Sequence, residues 1–181
     1  MKIFIGGSRA VSKLNAVIRE RLDDVVMKKN CTVFIGDANG ADKAVQHYFA
    51  DRLYPDVVVF CMEGCRNNLG QWPTRSVEPP FGSTGFSYYS AKDLVMSQEA
   101  GCGLMLWDGK SKGTLQNMLR LLAAGKPTLV YFSPTKDFHR LASEADLQTL
   151  FARCRKSDLD LAARGLGIKA PLTQPHLPLT P

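Results

Sequence analysis

The residues with the types and spacing to do chemistry gather in three short loops: GGSR (6–9), GDANGAD (36–42) and DGKSKGT (108–114). Each follows an apolar run and leads toward a helical pattern. Glycine lets a backbone approach an anion with no Cβ in the way. A helix N-terminus adds unpaired N–H groups and the positive end of a dipole. Gly6, Gly7 and Ser8 make the first loop, and Arg9 supplies a guanidinium suited to a forked grip on phosphate or carboxylate. In the second loop, Gly36 and Gly40 frame two carboxylates. Asp37, nearer the strand end, is a candidate to accept sugar hydroxyls. Asp42, in the first helical turn, either complements the helix dipole or touches a ligand. The third loop sets Lys110 and Lys112 and the hydroxyls of Ser111 and Thr114 around Gly109 and Gly113. It is not a Walker A loop, because Lys112 precedes Gly113, and GGSR is not the dinucleotide pattern G-x-G-x-x-G. Any one loop alone reads equally as a strand-to-helix turn. Their joint placement favours a phosphate or ribose site. The pattern calls for no cofactor and no metal. Cys61 and Cys65 are the only cysteines close in sequence, have no histidine nearby, and are expected as reduced thiols.

The elements that must position these loops follow from periodicity. KIFIG (2–6), CTVFI (31–35), VVVFC (57–61), GLMLW (103–107) and TLVYF (128–132) are apolar runs without alternation, as in strands buried on both faces. Helical spacing predicts helices over 12–29 with Ser12 as cap, 41–53, 90–100, 115–124, and 143–155 with a further turn toward 164. Residues 62–89 read as a long loop carrying Phe81, Phe86, Tyr88 and Tyr89; the last three either stack on a base or close over it, or else anchor the loop or line a dimer contact. Trp72 and Trp107 read as packing residues, and His47 as a surface or half-buried one; His139 and His176 are given no role. Strands alternating with helices predict an α/β, three-layer Rossmann-like fold with a mostly parallel sheet of five strands or slightly more. It forms one domain over 1–165, followed by a Pro-rich tail over 166–181. In such sheets ligands bind beyond the carboxyl ends of the strands, where strand order reverses.

Composition bounds the partners. The chain has 181 residues with 23 Lys and Arg against 17 Asp and Glu, a net charge of +6, spread along the chain with no basic run. Such a balance suits an anionic small molecule and does not indicate a nucleic-acid groove. No stretch approaches the roughly 20 apolar residues of a membrane span. The N-terminus carries no secretory signal pattern, so the expected location is the cytoplasm.

Taken together, GSR after the first strand, G-x-A-x-G-A-D after the second, K-D-x-x-M (92–96) opening a helix, and D-G-x-S-x-G-T before the last strand's helix resemble the SLOG superfamily of LOG- and DprA-like Rossmann domains. Within it the chain is most similar to the YspA/YpsA-related branch, over roughly residues 1–132. The resemblance implies binding or sensing of a nucleotide or nucleotide-derived small molecule, commonly in a homodimer. It adds Lys92 and Asp93 to the ligand-binding residues of the three loops. A second implication is cleavage or transfer at an N-glycosidic bond, as in the LOG phosphoribohydrolases, with Asp37, Lys92, Asp93 and Asn117 as candidate catalytic residues. Asn117 stands where that branch carries glutamate, and Lys92 where it carries arginine. An amide cannot act as general base or stabilise an oxocarbenium ion as a carboxylate does. DNA binding as in DprA is the third implication.

Overall fold

The computed structural model describes residues 1–166. The expected tail from 166 lies outside the described residues from 167 onward, as does His176. Strands β1 (Lys2–Gly7), β2 (Thr32–Gly36), β3 (Val57–Cys61), β4 (Thr74–Ser76), β5 (Cys102–Trp107), β6 (Thr128–Phe132) and β7 (Asp137–Leu141) form one sheet. Their order is β4-β3-β2-β1-β5-β6-β7. All pairs are parallel except β6 with β7. The chain builds outward from β1 to β4, then returns to β5 on the other side of β1. The strand order therefore reverses between β1 and β5, where Gly6 and Gly7 pair with Met105 and Leu106.

Helices α1 (Ala16–Leu22), α2 (Ala41–Ala50), α3 (Gly85–Glu99), α4 (Lys112–Ala123), α5 (Glu144–Phe151) and α6 (Lys156–Arg164) cover both faces. Alternate side chains of each strand enter opposite cores. Ile3, Ile5, Val33 and Ile35 pack with Ile18 and Leu22 of α1 and Val45 and Phe49 of α2. Phe4, Phe34, Met105 and Trp107 pack with Met96 of α3, Leu115 and Met118 of α4, and the apolar residues of α5 and α6. The result is the three-layer Rossmann-like architecture, with seven strands among the described residues. Trp72 and Trp107 are packing residues, each buried with its indole N–H donating to a carbonyl, of Tyr54 and Ser111.

Several local details differ from the periodicity reading. Asn15, not Ser12, caps α1, its side chain accepting from the Ile18 N–H at 3.0 Å. The expected long first helix stays α-helical only to Leu22 and widens into a π-helical stretch over Asp23–Met27. Helix α3 begins at Gly85, so Phe86, Tyr88 and Tyr89 lie on its first turns and not in a loop. The expected last helix is two: a Ser143–Asp146 capping box opens α5, and the chain breaks before α6. The two additional strands are edge strands with weak patterns: TRS is wholly exposed, and DFHRL is mostly half-buried. Among the described residues, no helix is long and apolar enough to cross a membrane.

Candidate functional site

A cavity of about 670 Å³ opens at the carboxyl ends of β1 and β5, roofed by α3 and floored by the start of α4. That volume is typical of small-molecule sites, and its place is the one where a doubly wound sheet leaves a crevice. Gly6, Gly7, Ser8 and Arg9 line it from β1. Residues 110–114 and Asn117 line it from α4 and the loop before it. Asp42, Lys92 and Asp93 close one side. Gly36, Asp37, Gly40 and Gly109 are not among the lining residues; the first three support residues that are.

The first two loops are tied together. The Ser8 carbonyl accepts from the Ala41 N–H at 3.1 Å. Gly40 sits at φ +85°, and a Cβ there would collide with the Arg9 backbone. Glycine is therefore required at 40 for close approach as well as for its left-handed backbone. The third loop is partly filled by its own chain. Asp108 Oδ1 accepts from the N–H groups of Lys110 and Ser111 at 3.1 and 2.8 Å, and Oδ2 from the Ser8 hydroxyl at 2.8 Å. Ser111 caps α4 by accepting from the Thr114 N–H. These bonds leave the N–H groups of Lys112, Gly113 and Arg9 without hydrogen-bond partners among the described residues. The first turn of α4 carries no acidic residue. Instead two lysines stand at its positive end: Lys110 is 3.6 Å from Asp158, and Lys112 lies 4.2 Å from the centre of the Phe86 ring. Cations at a helix N-terminus oppose the dipole. The arrangement gives up local stability and leaves Lys112 beside the cavity floor, while Lys110 is partly offset by Asp158.

The cavity wall is a buried ionic cluster. Lys92 reaches from α3 over the end of β2, where a Cβ at Gly36 would stand 2.6 Å from its ammonium and collide with the Asp42 carboxylate. Gly36 thus makes room for a cation from one helical layer to meet a carboxylate from the other. Lys92 Nζ is 3.1 Å from Asp93 Oδ1 and 3.8 Å from Asp37 Oδ1. Asp93 Oδ2 accepts from the Asn117 amide at 3.0 Å, and the Arg120 guanidinium donates to Asn117 Oδ1 at 3.3 Å. Asp37, 1% exposed, is held by Arg66: Nη2 to Oδ1 at 2.7 Å, Nε to Oδ2 at 3.0 Å, and the backbone N–H to Oδ2 at 3.1 Å.

Burial disfavours the charged Asp37, but the hydrogen bonds from Arg66 and the charge of Lys92 outweigh it, and its pKa lies below the ordinary carboxylate value. Burial likewise opposes the Lys92 ammonium, and Asp93, Asp42 and Asp37 outweigh it, so its pKa is raised. Asp42 goes the other way. Burial dominates, Lys92 only partly offsets it, and the pKa is pushed up to about 7. Between its ordinary value of 3.8 and about 7, the folded chain keeps a proton on Asp42 that the unfolded chain has lost. The Asp42 contribution to stability is therefore fully present below that window. It falls as pH rises through it, by up to about 1.4 kcal/mol per pH unit. Asp42→Asn is expected to flatten this part of the stability profile, measured by urea unfolding between pH 5 and 8. Asp37 contributes in a separate, more acid window, its stabilisation present above the ordinary carboxylate range and lost as pH falls through its lowered pKa.

Arg66 is the principal site residue that periodicity does not mark. It lines the cavity with Phe86 and Tyr89, which sit one turn apart on α3. Its guanidinium carbon lies 5.1 Å from the centre of the Tyr89 ring. Tyr88 does not line the cavity, and Phe81 is fully exposed. His47 is on the surface, beside Asp51. Cys61 and Cys65, expected as reduced thiols, are joined in a disulfide. Compared with known proteins, the chain matches no family model and no curated relative.

Proposed function

We propose that the chain binds a phosphorylated nucleoside or a nucleotide-derived small molecule in this cavity. The phosphate sits against the N–H groups of Lys112 and Gly113, flanked by Arg9 and Lys110. The sugar hydroxyls face Asp93 and Asp42, and Phe86 and Tyr89 offer their rings to the base. The observation that carries this reading is the α4 N-terminus: free amides, two lysines and no acidic residue in the first turn, all on the floor of one cavity. The lining holds five cations (Arg9, Arg66, Lys92, Lys110, Lys112) and three carboxylates (Asp42, Asp93, Asp108), with Asp37 and Asp158 pairing with Arg66 and Lys110 from just outside it, so Arg9 and Lys112 are the cations left facing the cavity without an acidic partner among the described residues. They converge on a concave site roofed by a helix, which suits a small anion better than a polynucleotide.

Isothermal calorimetry with adenosine 5′-monophosphate and with adenosine tests it. The monophosphate is expected to bind more tightly, and Arg9→Ala to weaken it about tenfold while leaving adenosine nearly unchanged. Equal losses for both ligands contradict a phosphate role for Arg9.

One observation favours a second reading, cleavage of the N-glycosidic bond. Asp42, with its pKa near 7, and Asp93 both reach the cavity, so a carboxyl poised to exchange a proton at neutral pH lies beside the ligand. Free base released from nucleoside monophosphates, and lost in Asp93→Asn, supports it. Binding without base release leaves the first reading alone. Asp37 is a poorer candidate for the chemistry, since both its oxygens are engaged by Arg66.

A further inference from the structure

Segment 61–69 joins β3 to the cavity wall and has no role in the phosphate seat. The disulfide there closes only a five-residue loop, CMEGC. A loop so short removes little entropy from the unfolded chain, so this bond is a weak global staple. Its effect is local. Cys65 directly precedes Arg66, whose three hydrogen bonds hold Asp37. Both sulfur atoms lie within 4.8 Å of an Asp37 carboxylate oxygen. The next residue, Asn67, donates from its side-chain amide to the Asp37 carbonyl at 2.7 Å and to Asn39 Oδ1 at 3.2 Å. Gln46 of α2 completes the seam, donating to the Asn67 carbonyl and accepting from the Leu69 N–H. Residues 65–69 are thus fastened to the loop 36–39, and the fastening starts at the disulfide. The two sulfurs also differ in access: Cys61 is buried and Cys65 exposed.

We propose that Cys61–Cys65 is a thiol–disulfide exchange site whose state sets the position of Arg66 in the cavity wall. The partner is a small dithiol or the dithiol of a redox protein. Its thiolate attacks the exposed Sγ of Cys65, the Cys61–Cys65 bond breaks, and Cys61 leaves as a thiolate that takes up a proton. The second thiol of the partner then attacks the mixed disulfide, releasing Cys65 as a thiol and leaving the partner as its own disulfide. Two electrons and two protons pass to the chain. In the oxidised chain Arg66 is clamped on Asp37, which fixes its guanidinium in the cavity wall. In the reduced chain residues 62–66 regain backbone freedom, the Arg66–Asp37 fork opens more often, and anionic ligands bind less tightly. The affinity effect rests on the proposed ligand site; the exchange chemistry and the loosening of the seam do not.

The test uses the full chain with and without dithiothreitol. Denaturing alkylation and mass spectrometry are expected to find three free thiols before reduction, those of Cys31, Cys102 and Cys154, and all five cysteines after it. Amide hydrogen exchange over 36–40 and 66–69 is expected to rise about tenfold on reduction. Cys65→Ser is expected to show the raised exchange without reductant. Adenosine 5′-monophosphate affinity is expected to fall about tenfold on reduction, and Arg66→Ala to abolish that redox response. Five free thiols in protein held in oxidised glutathione, or exchange over 36–40 unchanged by reduction, overturns the proposal. Exchange that responds while the monophosphate binds in neither state upholds the thiol site and overturns the ligand reading instead.

Discussion

Lys92→Met is expected to destabilise the fold by about 3–5 kcal/mol, the largest effect of any single change in the site. The methionine replaces the stem of the side chain and removes the ammonium. Asp42 and Asp93 then face one another with no cation between them, and Asp37 keeps only Arg66. A buried charge that has lost its partner costs far more than the pair contributed net. The loss is also expected to depend on pH with a definite sign. Lys92 holds the Asp42 pKa down, so its removal raises a value already pushed up to about 7. Above neutral pH the variant must keep Asp42 charged without help or take up a proton, and both cost stability. Near pH 5 Asp42 is protonated in either chain, and the deficit shrinks. Urea unfolding at pH 5 and pH 8 measures both. Adding Asp42→Asn to Lys92→Met is expected to recover part of the loss, because it removes one of the orphaned carboxylates. A variant within about 1 kcal/mol of the parent at pH 8 contradicts the described cluster.

Gly113→Val is expected to lower affinity for adenosine 5′-monophosphate by about 100-fold, or about 2.7 kcal/mol, with the fold intact. The retained fold and the lost affinity have separate causes. The nearest atom to a Cβ at 113 is Phe86 Cε2 at 3.7 Å, an ordinary contact, so the helix can accept a side chain. Valine is also no worse a helix residue than glycine. The isopropyl group, however, stands at the α4 N-terminus where an anion must reach the Lys112 and Gly113 amides. Adenosine, which has no phosphate to seat there, is expected to lose much less. Gly113→Ala is expected to fall between. Unchanged monophosphate affinity in a folded Gly113→Val protein removes α4 from the phosphate site.

The sequence carries much of the scaffold, for a physical reason. Five strands are buried on both faces and so must be continuous apolar runs, which nothing else in the chain imitates. The glycine-rich loops at their carboxyl ends are equally visible, because close backbone approach excludes other residues. What escapes reading depends on contacts between distant segments. Strand β4 is three exposed residues and β7 is half-buried and mixed in polarity, so neither has a pattern of its own; sheet pairing makes them strands. The aromatic stretch from Phe86 is helical because α3 lies across the sheet, not because FSYYS favours a helix. Asp37 and Asp42 illustrate the limit within the site. Asp37, by its nearness to the strand end, reads as a candidate for sugar hydroxyls or for capping; Arg66, 29 residues away, claims it. Asp42 reads as either a helix-dipole residue or a ligand contact, and it reaches the cavity because Gly36 leaves space above β2. Asp108 reads as one member of a phosphate loop, yet its carboxylate takes two of that loop's amides. The one visible hint of Arg66 is its place directly after Cys65, and it has meaning only once the disulfide is seen.

The proposed function depends most on an anion binding at the start of α4, beside the reversal between β1 and β5. The most direct test is a titration of amide-labelled protein with adenosine 5′-monophosphate, followed by two-dimensional nitrogen–proton NMR. Saturable shifts are expected to be greatest at the amides of Arg9, Lys112 and Gly113, with adenosine alone shifting α3 signals near Phe86 and Tyr89 but leaving Gly113 nearly still. Shifts confined to another surface, such as the groove between Ser12 and Arg52, or none at millimolar ligand, would contradict it.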